Sequence, residues 1–410
     1  MSVVVIVGAG IAGLTCAQEL HARNIACTIL EASDAVGGRA RTDVVEGFLL
    51  DRGFQVLLTA YPEAQRLLDY NALKLNAFAP GALIWHAGKL HPAMDPWKRP
   101  QAAVATMLSP IGSLSDKMKV AALRRQVTRR PSEEVLSAPE KTTLEYLQDF
   151  GFSELMIERF FRPFLAGVFL EPELTTSSRM FEFVFRMFSL GAAALPAKGM
   201  GAIAEQLASG LLPHTIRLGA SVAKINNNSV QLSTGELLPA KAVIVATDQR
   251  GASTLLPEIM GGPNRRTSCF YFAATVPPIK EPLLMLNGEN AGPINNLTVP
   301  SLIARTYAPM NSHLISVSVV GDAASHGDLE RDVRVQLRSW FGSTTDRWRL
   351  LRRYDIEYAL PEVPAGVPAH RTRSVRKGVF VCGDHCENAS INGAMSSGSA
   401  VAEQVSKYLA

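Results

Sequence analysis

Apolar and polar positions alternate between three regimes along this chain. Residues 3–7 form a β-branched run that reads as a buried parallel strand. Three glycines, Gly8, Gly10 and Gly13, break the pattern directly after it, and residues 11–23 then take up helical periodicity. Residues 25–30 return to an apolar strand that ends at Glu31. Far downstream, residues 221–247 read as a β-meander with Asn-rich and Thr-Gly turns, closing in a buried strand at 242–246. Residues 379–382 give one more short apolar strand, ended by Gly383 and Asp384, before a helix of small residues at 393–407. Between these pieces, residues 73–195 are expected to be largely helical, interrupted at Pro110, Pro131 and Pro139. Residues 266–358 are expected to be strand-rich, with alternation at 268–274, 302–307 and 313–320.

The strand–turn–helix–strand at the start carries the first chemistry. Gly8 permits the tight turn, Gly10 lets the backbone approach a pyrophosphate, and Gly13 allows the helix to pack on the strand. The helix N-terminus offers N–H groups and positive dipole to the phosphates, with Ala12 in the same turn. A carboxylate at Glu31, followed by Ala32, can accept from both ribose hydroxyls and would repel a 2′-phosphate. That points to a dinucleotide other than NADP. Gly199-Met-Gly201 could pass for a second such turn, but no strand precedes it and no acid-ended strand follows in register.

Composition narrows the class. The 410 residues suit two domains, interleaved in sequence, and 47% hydrophobic with 19% charged residues describes a core-rich folded protein. A net charge of +4 and 7% aromatic residues argue against a nucleic-acid partner. The five cysteines, Cys16, Cys27, Cys269, Cys382 and Cys386, lack C-x-x-C spacing, so neither a metal site nor a redox disulfide is expected, and reduced thiols are. No positively charged leader and no run of about 18 uncharged apolar residues is visible, which implies a cytoplasmic protein, at most peripheral to a membrane.

The motif EASDAVGGRART at residues 31–42 resembles that of the FAD-dependent amine oxidase, phytoene desaturase and protoporphyrinogen oxidase superfamily. The resemblance implies that Gly38 and Arg39 run beside the FAD pyrophosphate, with Arg41 near the phosphates or the flavin end. A guanidinium can pair with phosphate oxygens in a fork. DRGFQ at 51–55 matches the family's next stretch and would bring Gly53 and Phe54 to the isoalloxazine. Gly383 and Asp384 would contact the ribityl chain and pyrophosphate. Asn392, Gly393 and Ala394 would lead a helix whose N-terminus addresses the flavin N1/C2 edge, where charge gathers on reduction. The segment at 195–208 resembles the family's next glycine-led helix, and the segment at 160–178 resembles its substrate-domain stretch. Backbone groups at Val222 would hold the adenine, and Ala246 and Thr247 would approach the cofactor. The fold class so implied is α/β: a Rossmann-like, glutathione-reductase-like FAD-binding domain with an inserted α+β substrate domain. The FAD domain would comprise 1–72, 196–265 and 359–410, and the substrate domain 73–195 and 266–358.

The resemblance also implies the chemistry: hydride passes from a C–H or N–H bearing substrate to flavin N5, and the cofactor carries the reaction. No catalytic side chain is assigned. His385 reads as ribityl-side packing and Cys386 as an inert small residue; the motif that attaches flavin covalently is missing, so FAD is expected to bind non-covalently. Amine oxidases of this family place a flanking aromatic where Ser390 stands here, which argues for a largely apolar or cyclic substrate over a simple amine. The alternatives are an amine oxidase yielding imine and hydrogen peroxide, and an FAD-dependent isomerase or non-catalytic FAD-binding protein. The sequence leaves the electron acceptor open, with oxygen and a quinone as candidates. Asn295, Asn296, Arg305 and Tyr307 fall in cavity strands, where buried polar residues ordinarily satisfy hydrogen bonds. Residues 98–130 hold eight Lys/Arg against one acid, Asp116, with Met118, Val120, Leu123 and Val127 on the helix. That stretch reads as a solvated basic helix or, alternatively, as a membrane-surface face admitting a lipid-soluble substrate.

Overall fold

The computed structural model describes residues 4–226, 228–321, 327–366 and 373–410, with the side chains of 132 and 133 excepted. Val3 of the expected first strand and Asn227 of the expected Asn-rich turn lie outside the described residues.

The β-branched opening forms the strand Val4–Val7 at the centre of a six-stranded sheet. Across the sheet the order is Ile216–Arg217, Cys27–Leu30, Val4–Val7, Ala242–Val245, Val379–Val381 and Ser374–Arg376; all pairs are parallel except the last. Both faces are covered, as a parallel sheet of continuous apolar strands requires. Val4 and Ile6 pack with Leu14, Ala17, Val401 and Val405 of the helices Ile11–Ala22 and Ile391–Leu409. Val5 and Val7 pack with Ile225, Val230 and Leu232 of the meander Val222–Ile225, Ser229–Leu232, Leu237–Pro239. The two helices touch closely, and a Cβ at Gly398 would run into the Ala12 carbonyl oxygen.

A second, seven-stranded sheet runs Arg349–Pro361, Asn264–Ala274, His313–Val320, Ile294–Thr298, Leu284–Asn287, Gly81–His86, Lys89–Met94. Its pairs are antiparallel except that of Leu284–Asn287 with Gly81–His86. One face buries Phe270, Phe272, Val317 and Leu297 against Val333, Leu337 and Trp340 of the helix Leu329–Phe341. The other face carries the polar series Cys269, Ser316, Ser318, Asn296 and turns toward a bundle that includes Leu114–Arg129, Arg162–Phe169 and Ser178–Leu190. The edge strand Arg349–Pro361 runs across the expected domain boundary at 358/359, and Asn264–Ala274 across the one at 265/266.

Three expectations need correction. The largely helical stretch 73–195 opens on a β-hairpin, Gly81–His86 with Lys89–Met94, closed by Ala87 and Gly88 at φ +52° and +72°; these are the positive angles a two-residue hairpin turn needs. Residues 302–307 are not a strand. Pro300 opens a helical turn, Pro300–Ile303, and a tight turn at Arg305–Tyr307 follows. The strand-rich stretch 266–358 also contains the 13-residue helix Leu329–Phe341. All five cysteines are buried, and burial pushes the Cys27 thiol up to about 12 and Cys269 up to about 11, which leaves both poor nucleophiles. No helix among the described residues is long and apolar enough to cross a membrane.

Candidate functional site

A cavity of about 1530 Å³ lies between the two sheets and the helical bundle. It exceeds the several hundred Å³ usual for one small ligand. Part of its wall is built from the glycine turns. Gly8 needs its φ of +108°, and a Cβ there would lie 2.9 Å from the Ala246 carbonyl oxygen. A Cβ at Gly13 would run into the Gly8 carbonyl oxygen, so this glycine serves helix packing and does not line the cavity. Gly10 differs: it is the N-cap of Ile11–Ala22 at an ordinary φ of −73°, has no side-chain cap, and a Cβ there would meet nothing within 4 Å. The space before it is the cavity. A group placed there would face the helix's first amides and positive dipole, as a pyrophosphate requires. The residues therefore fit a dinucleotide.

Glu31 lines the same region, already held by three donors: Ala9 N–H at 2.7 Å, Ser33 N–H at 2.9 Å and Ser33 Oγ at 2.7 Å. Ala220 N–H donates to the Glu31 carbonyl at 2.8 Å, which brings the chain leading into Val222 alongside. Gly38, at φ +58°, stands 3.4 Å from the Gly10 Cα by its would-be Cβ. Arg39 then joins three distant segments. Its guanidinium donates to Asp384 Oδ1 at 2.7 Å and to the Ala359 carbonyl at 2.8 Å, while Gln55 Nε2 donates to the Arg39 carbonyl.

Of the sequence-derived residues, the cavity wall brings together Gly8, Gly10, Ala12, Glu31, Gly38 and Arg39 from the first segment. Gly53, Phe54, Ala246, Thr247, Gly383, Asp384 and Ala394 join them from elsewhere. The wall does not include Gly13, Ala32, Arg41, Val222, Asn392 or Gly393. Arg41 turns to the exposed Asp34, 2.9 Å away. Asn392 Oδ1 accepts from Glu63 N–H at 3.0 Å, and the Gly393 N–H donates to Ser390 Oγ at 3.0 Å, so Ser390 caps the last helix. His385 is buried behind Gly383, where a Cβ would meet its ring at 2.5 Å.

Sequence reasoning missed much of the middle of the cavity. Asp43 accepts from Arg52 at 3.0 Å, Arg352 at 3.1 Å and the Tyr354 hydroxyl at 2.7 Å, and all four line the wall. Burial works against its charge, yet these partners hold the Asp43 carboxyl below the usual range. Tyr61 stacks on Phe183 at 6.0 Å, and burial, eased by a hydrogen bond with Ser390, pushes its hydroxyl well up. The far wall is apolar. Phe160 stacks on Phe164 at 5.6 Å, and Phe164 meets Phe188 edge-on at 5.2 Å. Phe160 belongs to a π-helical turn, Ile157–Phe161, of the kind that widens a helix at functional sites.

At the mouth, Lys98 Nζ donates to the carbonyls of Phe188 and Gly191, and Arg124 donates to that of Ser189 while lying 4.8 Å over Trp97. These cations close the C-terminus of Ser178–Leu190, where orphan carbonyls need donors. Lys117 serves Met107 and Ser109 carbonyls in the same way. The basic stretch 98–130 is thus tied largely into the fold.

The sequence model of the flavin containing amine oxidoreductase family matches residues 11–406. Protoporphyrinogen oxidase 2 of Arabidopsis thaliana is 39% identical over 66 residues, 16% of this chain and 13% of that protein. Coproporphyrinogen III oxidase of Mycobacterium leprae (strain TN) is 29% identical over 180 residues, 42% of this chain and 39% of that one. The matched part thus spans well under half the length of these relatives. A solved oxidoreductase of Methanosarcina mazei shares the fold at a TM-score of 0.77 with 16% identity, covering 98% of this chain and 99% of that one.

Proposed function

Because the chain belongs to the flavin-containing amine oxidoreductase family, we propose that it binds FAD non-covalently and removes a hydride from a largely apolar, cyclic substrate. The observation that carries this reading is the continuity of one cavity from the glycine turn at Gly10 to the phenylalanine wall at Phe164. In this reading the uncapped amides after Gly10 take the pyrophosphate, Glu31 the adenosine ribose, and Arg39 and Asp384 the stretch between ribityl and phosphates. Backbone at Val222 takes the adenine. Gly53 and Phe54 border the ring system, with Ala394 and the last helix at its far edge. Residues 1–72, 196–265 and 359–410 would then be the FAD domain, and 73–195 with 266–358 the substrate domain.

Bound flavin would supply the two-electron acceptor. The chain's own part is to orient the substrate and keep water out, which Phe160, Phe164, Phe188 and Val184 serve. No acid–base side chain is needed for that. Ser390 lines the cavity at the place where an amine-flanking aromatic would stand, which supports a ring substrate over a simple amine. Since two relatives are named porphyrinogen oxidases, a reduced tetrapyrrole is the first compound to test.

The protein should purify yellow and release all its FAD on heat denaturation. Anaerobic addition of coproporphyrinogen or protoporphyrinogen should bleach the flavin, and oxygen or a quinone should restore it. A colourless protein without FAD would sink the proposal. Bleaching by simple amines with peroxide release in air, and none by ring compounds, would replace the substrate with an amine. A flavin reduced by dithionite but by no donor would favour an isomerase or a non-catalytic role.

Val104, Met107, Leu108, Leu114 and Met118 are exposed on the helices Ala103–Leu108 and Leu114–Arg129, Leu108 at 81% and Met118 at 62%. They share the basic stretch 98–130 with Lys98, Val120 and Arg124, which line the cavity, and this supports a peripheral membrane contact through which an apolar substrate enters.

A further inference from the structure

The sheet face toward the cavity contains two polar groups that the fold leaves unsatisfied. Asn296 and Ser318 stand opposite each other on adjacent antiparallel strands, and both line the cavity. Asn296 is 3% exposed and Ser318 5%, and neither Asn296 Oδ1 nor Ser318 Oγ has a hydrogen-bond partner within the protein. Burying such an oxygen without a partner is destabilising, because the group gives up its water and gains nothing in return. The neighbours behave otherwise: Asn295 Nδ2 donates to the Pro163 carbonyl at 3.0 Å, and Thr267 Oγ1 to Val319 at 2.9 Å. Leu284 and Val320 beside the pair are apolar.

The Asn296 amide is also held in place. Gly167, on the helix Arg162–Phe169, packs directly on it, and a Cβ there would stand 2.8 Å from Asn296 Nδ2 and 3.1 Å from Asn295 Nδ2. The helix can lie this close only because residue 167 has no side chain. An amide clamped by backbone cannot swing away to solvent, so its hydrogen-bonding capacity is preset toward whatever fills the cavity.

We propose that Asn296 and Ser318 form a polar anchor that selects, within the apolar cavity, ring compounds carrying an N–H donor. The amide oxygen accepts the ring N–H, and the serine hydroxyl, free to donate or accept, completes the contact. This deepens the reading of the cavity as a site for a cyclic apolar substrate and rests on it. The anchor discriminates because a ring lacking the N–H leaves a buried acceptor unpaired.

Carbazole and fluorene test it: both are rigid tricycles of nearly equal size, and only carbazole has an N–H. Binding to the purified holoprotein is read by ligand fluorescence. The wild type should bind carbazole about tenfold tighter than fluorene, the worth of one hydrogen bond to a buried acceptor. Asn296→Leu with Ser318→Ala should keep the flavin absorbance, melt no lower than wild type, and bind both compounds equally. Ser318→Ala alone, a small change in a strand, should lose part of the preference and covers the case in which the double variant fails to fold. Equal binding by the wild type, a preference that survives in the double variant or is undiminished in Ser318→Ala, or no binding of either compound overturns the anchor. A double variant that melts lower yet still prefers carbazole overturns it too, and assigns the pair to an internal water. Flavin content is read in the same samples, so loss of FAD, which would count against the broader reading, is scored separately.

Discussion

The two glycines Gly10 and Gly13 stand three residues apart and have opposite physical duties. A methyl group at Gly13 would collide with buried backbone, so Gly13→Ala should lower unfolding free energy by about 1–3 kcal/mol through overpacking. A methyl group at Gly10 meets only open cavity at an ordinary φ, so Gly10→Ala should melt like the wild-type apoprotein yet retain little FAD after gel filtration. Equal flavin content in both variants would refute that division of labour. Asp51 offers a second residue-scale test. It is 3% exposed, accepts from Thr42 Oγ1, Met200 N–H and the Tyr307 hydroxyl, and burial raises its carboxyl to about 6. A raised folded value means that the folded state holds the proton more tightly than the unfolded one, so this stability is full below about pH 4 and lost as pH climbs through 6. The shift is worth at most about 3 kcal/mol. Between pH 4 and 7 the stability of Asp51→Asn relative to wild type should therefore rise, as chemical denaturation at each pH would show; a flat difference would contradict it. Glu31 and the glycines were legible because their partners sit within one βαβ unit. Arg41 was read near the phosphates or the flavin end, and its pairing with Asp34 is one that no motif marks.

At the scale of elements, legibility followed local signals. The strands at 4–7, 242–245 and 313–320 were readable because their apolar runs are continuous or strictly alternating. The hairpin Gly81–His86 with Lys89–Met94 was hidden because its hydrophobic residues mimic helical spacing and its turn carries Ala87 where Asn or Asp would have announced it. The helix Leu329–Phe341 was missed, although its apolar Val333, Leu337 and Trp340 recur at i, i+4 and i+7. Among charged residues, sequence alone could not separate surface cations from helix caps. Lys98 is the example: it closes Ser178–Leu190 by donating to the carbonyls of Phe188 and Gly191. Lys98→Met should cost about 1 kcal/mol and loosen the cavity mouth. Faster hydrogen exchange confined to residues 186–191 would register this, and unchanged exchange there would return Lys98 to the ranks of solvated charges.

For the whole molecule, the cavity's walls come from chain segments that no local motif connects. The phenylalanine wall takes its residues from separate helices of the bundle, and the Asp43–Arg52–Arg352–Tyr354 cluster arises only where the hairpin Thr42–Val45 with Phe48–Asp51 meets the edge strand Arg349–Pro361, which is why both were invisible in the sequence. If the exposed apolar residues of the stretch 98–130 meet a bilayer, the purified protein should cosediment with vesicles of phosphatidylglycerol and phosphatidylcholine. Leu108→Glu with Met118→Glu should abolish this without altering flavin content. Failure of the wild type to cosediment at low salt would remove the membrane contact. The Arg39–Asp384 pair sets a further condition, one of timing. Its partners lie 345 residues apart, so at 5–20 residues per second a ribosome needs roughly 20 to 70 seconds to deliver the second after the first. Throughout that interval the nascent chain carries a glycine turn and an arginine with no opposing carboxylate. Cofactor capture that needs both partners is thereby postponed until residue 384 has been made, and flavin supply can influence the protein from then on but not its earlier folding.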